Sequence, residues 1–493
     1  MRGRAHALAL AALLAALPAC SSTLNTPLAA HNPSAGYRYG TLAADGRDDE
    51  LLVILAFSGG GTRAAAFSFG LLEALRDARY ASDRGPRRLL DDVDVIASVS
   101  GGSFTAAYYA LFRERLFDDF PAAFLHRDIE GELIGRALWP PNWFRLARKD
   151  FDRINLAAEL YDATVFQGRT FADLLQSPRR PYIIVNATDM TLGRRFEFTQ
   201  DQFDLLCSDL STLKVADAVA ASSAFPGLLS PLTLRNFAGG NACRWTPPQW
   251  LKDANKSSNP PMRYLHARDL LSYQEQAASR PWIHLLDGGL ADNIGLRGPY
   301  IALSSQDSGW SVLSRINRRA VKRVVVISAN AKTRKRPDWD TRQSAPGLVS
   351  VLGLVASGPM DNYSLDTVQL IRNFFEQQEQ EENSAASCRN VLLATCGRAP
   401  TPVVPHVDWF ALELAFDRLA DPALRDCLEA LPTSFTLPEP TVKLLRQAAG
   451  VLLRGSPEFE RLMTGLDKNW PPATAARVDP ELQTAVCGSP GVR

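Results

Sequence analysis

Two short apolar runs, each closed by a glycine-bearing turn and followed by a helical stretch, limit the folds open to this chain. The first run, Leu51-Leu52-Val53-Ile54-Leu55-Ala56-Phe57, contains no polar residue. A strand with no water-facing side belongs inside a parallel sheet covered on both faces. It ends in Ser58-Gly59-Gly60-Gly61-Thr62-Arg63, and residues 64–76 then set Phe67, Leu71, Leu72 and Leu75 on one helical face. The pattern repeats. Val93-Asp94-Val95-Ile96-Ala97 is a second strand, Ser98-Val99-Ser100-Gly101-Gly102 a sharp turn, and residues 103–112 a helix. Serial strand–turn–helix units predict an α/β fold whose turns lie side by side at the carboxyl ends of the strands.

The first turn admits several readings. Gly59, Gly61 and Ala64 fit the spacing GxGxxA, but a dinucleotide site also wants an acidic residue about 20 positions on, at the end of a second strand. Residues 78–88 are instead polar and basic. No GxxxxGK[ST] phosphate loop occurs. Three consecutive glycines offer bare backbone N–H groups at a helix start, where the dipole favours negative charge. An oxyanion suits such a place as well as a phosphate does.

The second turn supplies a nucleophile. Ser100 stands where a strand-to-helix elbow thrusts a hydroxyl out of the backbone, and Gly102 provides the small neighbour that close strand–helix contact needs. The leading glycine of GxSxG is Ser98 here. Further on, Trp282-Ile283-His284-Leu285-Leu286 runs into Asp287-Gly288-Gly289, with Ala291-Asp292-Asn293 following. A lone Asp-Gly is usually only a turn. At the end of an apolar strand it sets a carboxylate at the same sheet edge as the other two turns.

The amino terminus reads as an address. Arg2 and Arg4, a short apolar core from residue 5 to 17, and Leu17-Pro18-Ala19-Cys20 describe a secretory leader. Its end resembles a bacterial lipobox, so residues 1–19 are expected to be removed and Cys20 lipidated, anchoring the protein in the cell envelope, in the outer membrane by the Ser21 that follows. The alternative is a plain leader cleaved near Ala19. Residues 20–49, polar and without period, are expected to form a flexible tether. Six further cysteines are Cys207, Cys243, Cys388, Cys396, Cys427 and Cys487. Export permits disulfides, and Cys388 with Cys396, bracketing a hairpin-like segment, is the expected pair. The alternative is six thiols. With 54 basic against 53 acidic side chains, nothing suggests a nucleic-acid partner. No run approaches the roughly 20 apolar residues of a membrane-spanning helix. No cysteine pair has metal-site spacing and no acidic cluster suits calcium, so neither cofactor nor metal is expected.

Taken in order, Ser58-Gly59-Gly60-Gly61-Thr62-Arg63, Ser98-Val99-Ser100-Gly101-Gly102 and Asp287-Gly288-Gly289 resemble the patatin-like phospholipase family. Tyr182-Ile183-Ile184-Val185-Asn186-Ala187-Thr188-Asp189 resembles a core strand of that family, and Ala220-Ala221-Ser222-Ser223-Ala224-Phe225-Pro226-Gly227 its proline-bearing loop. The likeness runs from about residue 51 to 330. It implies a three-layer α/β/α sandwich around a mostly parallel sheet, and hydrolysis of lipid acyl esters by a Ser100–Asp287 dyad. Under that reading the amides of Gly59, Gly60 and Gly61, with Gly101, stabilise the oxyanion, and Arg63 either pins the glycine loop or adds positive potential.

A Ser-His-Asp triad stays open as an alternative. His126, His266, His284 and His406 are its candidates, and His406 falls latest. The catalytic domain is expected over residues 50–335, with insertions near 113–176 and 235–280, and residues 336–493 as an extension packed on it. Both insertions hold aromatic–cation mixtures, Trp139-Pro140-Pro141-Asn142-Trp143-Phe144-Arg145-Leu146-Ala147-Arg148-Lys149 and Arg244-Trp245-Thr246-Pro247-Pro248-Gln249-Trp250-Leu251-Lys252. These suit a bilayer interface or loop packing over the site. Rival functions are an envelope scaffold on a degenerate patatin fold, for which Ser98 speaks, and a hydrolase of non-lipid esters.

Overall fold

The computed structural model describes residues 24–41, 50–82, 85–176, 181–240, 243–255, 262–304, 321–334, 341, 343, 347–398, 406–471 and 476–488. The leader and Cys20 lie outside these. An eight-stranded sheet organises the chain. Its strands are β1 (Leu51–Phe57), β2 (Val93–Val99), β3 (Tyr182–Asp189), β4 (Arg194–Glu197), β5 (Leu232–Arg235), β6 (Trp282–Asp287), β7 (Arg323–Asn330) and β8 (Asp408–Ala415). The spatial order is β8-β7-β1-β2-β3-β6-β5, with β4 on β3. Pairings from β8 through β3 are parallel, whereas β6 runs antiparallel to both β3 and β5. β1 and β3 are buried at every position, so helices cover both faces, in the three-layer α/β/α arrangement that their unbroken hydrophobicity requires.

The helices that matter for function are α1 (Gly61–Asp77), α2 (Gly101–Phe112), α3 (Ile129–Leu138), α4 (Pro140–Leu146), α5 (Arg153–Tyr161), α6 (Val215–Ser222), α7 (Leu348–Cys396) and α8 (Glu439–Arg454). α1 follows β1, α2 follows β2, and the two pack together. α8 lies along α1 so closely that the Cα of Gly70 touches the Arg446 backbone, where a Cβ would sit 2.4 Å from a carbonyl oxygen. β8, from the C-terminal third, continues the sheet beyond β7 in register from Arg323↔Asp408 to Asn330↔Ala415.

Two expectations need correcting. Much of the presumed tether is packed: Asn25, Tyr37 and Arg38 are buried. Thr26–Pro27 pairs antiparallel with Ser208–Asp209, and the Tyr37 hydroxyl accepts the Ile183 N–H at 2.9 Å. The Arg38 guanidinium donates to Asp204 at 2.6 Å and also pairs with Asp201. Polar composition hid this because Ile183, Asp201, Asp204 and Ser208 lie far along the chain.

The cysteines pair as Cys207–Cys243 and Cys427–Cys487. Cys388 and Cys396 are free and exposed, both on α7 rather than on a hairpin. Eight residues of helix separate them by about 12 Å, well beyond the roughly 7 Å that a bridge can span.

The Cys427–Cys487 bridge closes a loop of 60 residues, worth about 2–4 kcal/mol through restriction of the unfolded chain. Cys427→Ala with Cys487→Ala should lower the urea midpoint accordingly. Cys388→Ser with Cys396→Ser should leave it unchanged.

Candidate active site

Ser100 occupies the elbow between β2 and α2 with φ of 48°, a left-handed conformation that costs a residue with a side chain about 1–3 kcal/mol and persists only where its surroundings enforce it. The surroundings here are contacts that only glycine permits. A Cβ on Gly101 would fall 2.0 Å from the Gly61 carbonyl oxygen, and one on Gly102 would fall 2.6 Å from the Phe57 Cβ. Ser98, standing in for a glycine, is buried in β2 and its hydroxyl donates to the Ile184 carbonyl at 3.4 Å. The substitution is absorbed within the sheet. From below, the Ser100 N–H donates to the Ser222 hydroxyl at 2.8 Å, which in turn donates to the Asn186 carbonyl at 2.6 Å. Ser222, at the end of α6, thus ties the elbow to β3. Its place in an Ala-Ser-Ser run was visible in the sequence, but its role was not.

Asp287 arrives from the opposite direction. Because β6 is antiparallel to β3, Asp287 pairs with Ala187 at a level just beyond the Val99↔Asn186 pair that precedes Ser100. The chain then turns at Gly288, which crosses the Asn186 carbonyl so tightly that a Cβ would lie 2.3 Å from its oxygen. The Asp287 N–H donates to the Ala224 carbonyl at 3.1 Å, and its carboxylate accepts the Gly289 N–H at 2.8 Å. Burial pushes the Asp287 pKa up to about 6, against the pull of the Gly289 N–H and the nearby Ser100 hydroxyl. Nearby Tyr161 is wholly buried, and its hydroxyl is raised above a phenol's ordinary pKa by burial foremost, with the Asp287 charge adding.

The glycine turn leads into α1 through Gly60 at φ 137° and Gly61 at φ 61°, conformations natural only to glycine. Helix starts leave their first amides without intrahelical acceptors. α1 begins at Gly61 and α2 at Gly101, and the Gly61 peptide lies against the Gly101 Cα. Two positive helix ends therefore converge beside the Ser100 hydroxyl.

Two members of the expected oxyanion set are engaged elsewhere. The Gly59 N–H donates to the Asn293 carbonyl at 3.0 Å, which fixes the loop to the segment after Asp287 and leaves Gly60, Gly61 and Gly101 as the candidate donors. Arg63 is buried and turned away, with Nε donating to the Ala331 carbonyl at 2.9 Å, Nη1 to those of Leu431 and Pro432 at 3.0 and 2.7 Å, and Nη2 to the Thr433 hydroxyl at 3.1 Å. It pins the loop rather than facing the serine. The next residue on that segment, Ser434, accepts the Thr62 N–H at 2.9 Å. Nothing local in the sequence pointed to residues 431–434.

The histidines lie apart from this pair. His284 is three residues from Asp287 on the same strand and so on the opposite face, bonded to Thr233. His406 is exposed between Glu382 and Asp408. His266 and His31 line a separate cavity of about 350 Å³ bounded also by Arg38, Gln202 and Trp245. Ser100 and Asp287 themselves are closed over, with Met360 of α7 resting on Gly289. Among the described residues, no group of His, Cys, Asp and Glu is arranged to hold a metal.

Gly101→Ala should lower the unfolding free energy by about 1–3 kcal/mol, the usual cost of forcing a methyl into a full space. Gly135→Ala, on α3 with nothing within 4 Å of the added Cβ, should change it by no more than about 1 kcal/mol, and upwards. Urea titration of the two variants checks both.

Three solved structures of human GIVD cytosolic phospholipase A2 share 12–13% identity with the chain, at TM-scores of 0.38–0.40. Two of them are complexes with methyl gamma-linolenyl fluorophosphonate, one also with terbium chloride. They align over 85–87% of this chain, which spans 60–62% of theirs. A comparison with curated protein sequences found no match. Residues 55–300 match the family model described as patatin-like phospholipase, and that span holds Ser100, Asp287 and the whole glycine loop on a patatin fold.

Proposed function

We propose that this protein hydrolyses acyl esters of lipids, phospholipids foremost, with Ser100 as nucleophile and Asp287 as its base. The arrangement that carries the reading is the strained Ser100 elbow beside the buried Asp287 carboxylate, whose pKa burial pushes up to about 6 while the nearby Ser100 hydroxyl pulls it down. An ordinary aspartate, at about 3.9, is a weak base; one pushed up to about 6 is far better matched to taking a proton near neutrality. As Ser100 Oγ bonds to the ester carbonyl carbon, its proton passes to Asp287 and negative charge grows on the carbonyl oxygen. Backbone N–H groups of Gly60, Gly61 and Gly101 at the two helix starts stabilise that charge, each such donor being worth about 2.7–4 kcal/mol. Collapse breaks the bond to the leaving alcohol, whose oxygen takes the proton from Asp287. Water then attacks the acyl-serine with Asp287 again as base, releasing the fatty acid and restoring Ser100.

The lipid class is favoured by the family match over residues 55–300. Under the same reading the leader and Cys20 put the enzyme on the outer membrane of a bacterial envelope, tethered beside its substrate. Radiolabelled palmitate incorporated into the wild type but not into Cys20→Ser would support this.

Ser100→Ala and Asp287→Asn should each lower ester hydrolysis by about 10³-fold or more while circular dichroism is unchanged. A fluorophosphonate should label Ser100, and absence of the adduct would favour the scaffold reading. Because Asp287 must be unprotonated to act, kcat/KM should climb as pH rises through about 6 and level off above it. A profile flat from pH 4 to 8 would rule out Asp287 as the base.

A further inference from the structure

Five large apolar side chains stand exposed on one pair of short helices and the residue that joins them: Ile134 at 50%, Leu138 at 65%, Trp139 at 61%, Trp143 at 57% and Phe144 at 82%. On α3, Ile129 and Leu133 face inward, while Ile134 and Leu138, four residues apart, share the outer face. α4 buries none of its residues. A short helix that leaves both of its aromatic rings exposed marks an interaction surface.

The charge of the same segment says what kind of surface it meets. Between residues 134 and 149 there are four cations, Arg136, Arg145, Arg148 and Lys149, and no acidic side chain. Arg145 pairs with Glu159 and Arg148 with Asp150. Arg136 and Lys149 have no carboxylate partner among the described residues. Tryptophans beside leucine and phenylalanine, rimmed by lysine and arginine, fit the boundary between headgroups and acyl chains of an anionic bilayer.

Position ties this face to the chemistry. At its start, Ser434, whose carbonyl holds the Thr62 amide, donates its hydroxyl to Glu130 at 2.9 Å, and Thr436 bonds Asp128. At its end, Ser230 donates to Asp152 at 2.6 Å and Arg153 donates to the Gly227 carbonyl at 3.1 Å. The loop so held begins at Ala224, the acceptor of the Asp287 N–H, and adds the exposed Phe225 and Leu228. Both ends of the α3–α4 pair are thus moored to the two loops that frame Ser100.

We propose that α3–α4, with Phe225 and Leu228, is a docking face for anionic lipid bilayers that seats the Ser100 site against the membrane. The inference rests on the lipid-hydrolase reading for its purpose but not for its test. The full chain carrying Cys20→Ser and Ser100→Ala, so that neither an acyl anchor nor hydrolysis intervenes, is sedimented with phosphatidylcholine vesicles with and without phosphatidylglycerol. Binding should require phosphatidylglycerol, weaken with salt, and fall about tenfold or more with Trp143→Ser and Phe144→Ser, since these remove two large exposed rings of the face. Arg136→Glu with Lys149→Glu should abolish the preference for phosphatidylglycerol. With Ser100 intact, the Trp143→Ser and Phe144→Ser protein should hydrolyse a soluble short-chain ester at the parent rate and vesicle lipid much more slowly. Unchanged vesicle binding in that variant would overturn the proposal. So would a dimer, found by sedimentation equilibrium, that the same substitutions dissolve, because the face would then belong to a second copy. A Ser100-intact chain that docks as described yet hydrolyses no ester would refute the enzymatic reading and leave the docking face supported.

Discussion

The approach of Gly61 to Gly101 is the constraint from which the site follows. With no Cβ between them, the starts of α1 and α2 come together, and the positive ends of both helices address one spot. The same crowding holds Ser100 at its left-handed φ, which presents the hydroxyl instead of folding it into the strand. Any other residue at either glycine would push the helices apart and relax the elbow. The two effects cannot be separated, because one close contact produces both.

Asp287 depends on a different kind of constraint, the reversal of one strand. A parallel β6 would deliver its carboxyl end by climbing from the far side of the sheet. Running antiparallel, β6 descends past the end of β3 and stops at Ala187, so the carboxylate enters a place already walled by β3 and α6. That burial raises its pKa, and the Gly289 amide keeps it from rising further. The histidines stand apart from both groups, His284 on the opposite face of β6 and His406 out by Glu382 and Asp408.

Much of this was legible in the residues. The all-apolar β1, the glycine run and the Ser100 turn are local patterns whose physics is contained in a few neighbouring positions. Asp287 was legible because an Asp-Gly closing an apolar strand is unusual enough to notice. What could not be read were contacts whose second partner is remote. Gly59 looked like an oxyanion donor until Asn293 took its N–H. Arg63 looked equally able to pin or to polarise, and only the carbonyls of Ala331, Leu431 and Pro432 decided it. Tyr37 and Arg38 sat in a segment of linker-like composition, yet each completes a hydrogen-bond group on β3 or the helix after β4. The cysteines gave no spacing rule at all, and an eight-residue separation read as a hairpin proved to be a stretch of helix.

Arg63 and Thr62 reach across the molecule to residues 431–434, a segment well outside the span that carries the reactive groups. The floor beneath the glycine turn is therefore made of chain translated long after the turn itself. A polypeptide ending at residue 300 would own its alcohol, its acid and its amides, but the turn presenting those amides would have no strut under it, and α1 would lose the α8 surface along its length. The turn that presents those amides thus takes its support from a remote stretch of the same chain, residues 431–434.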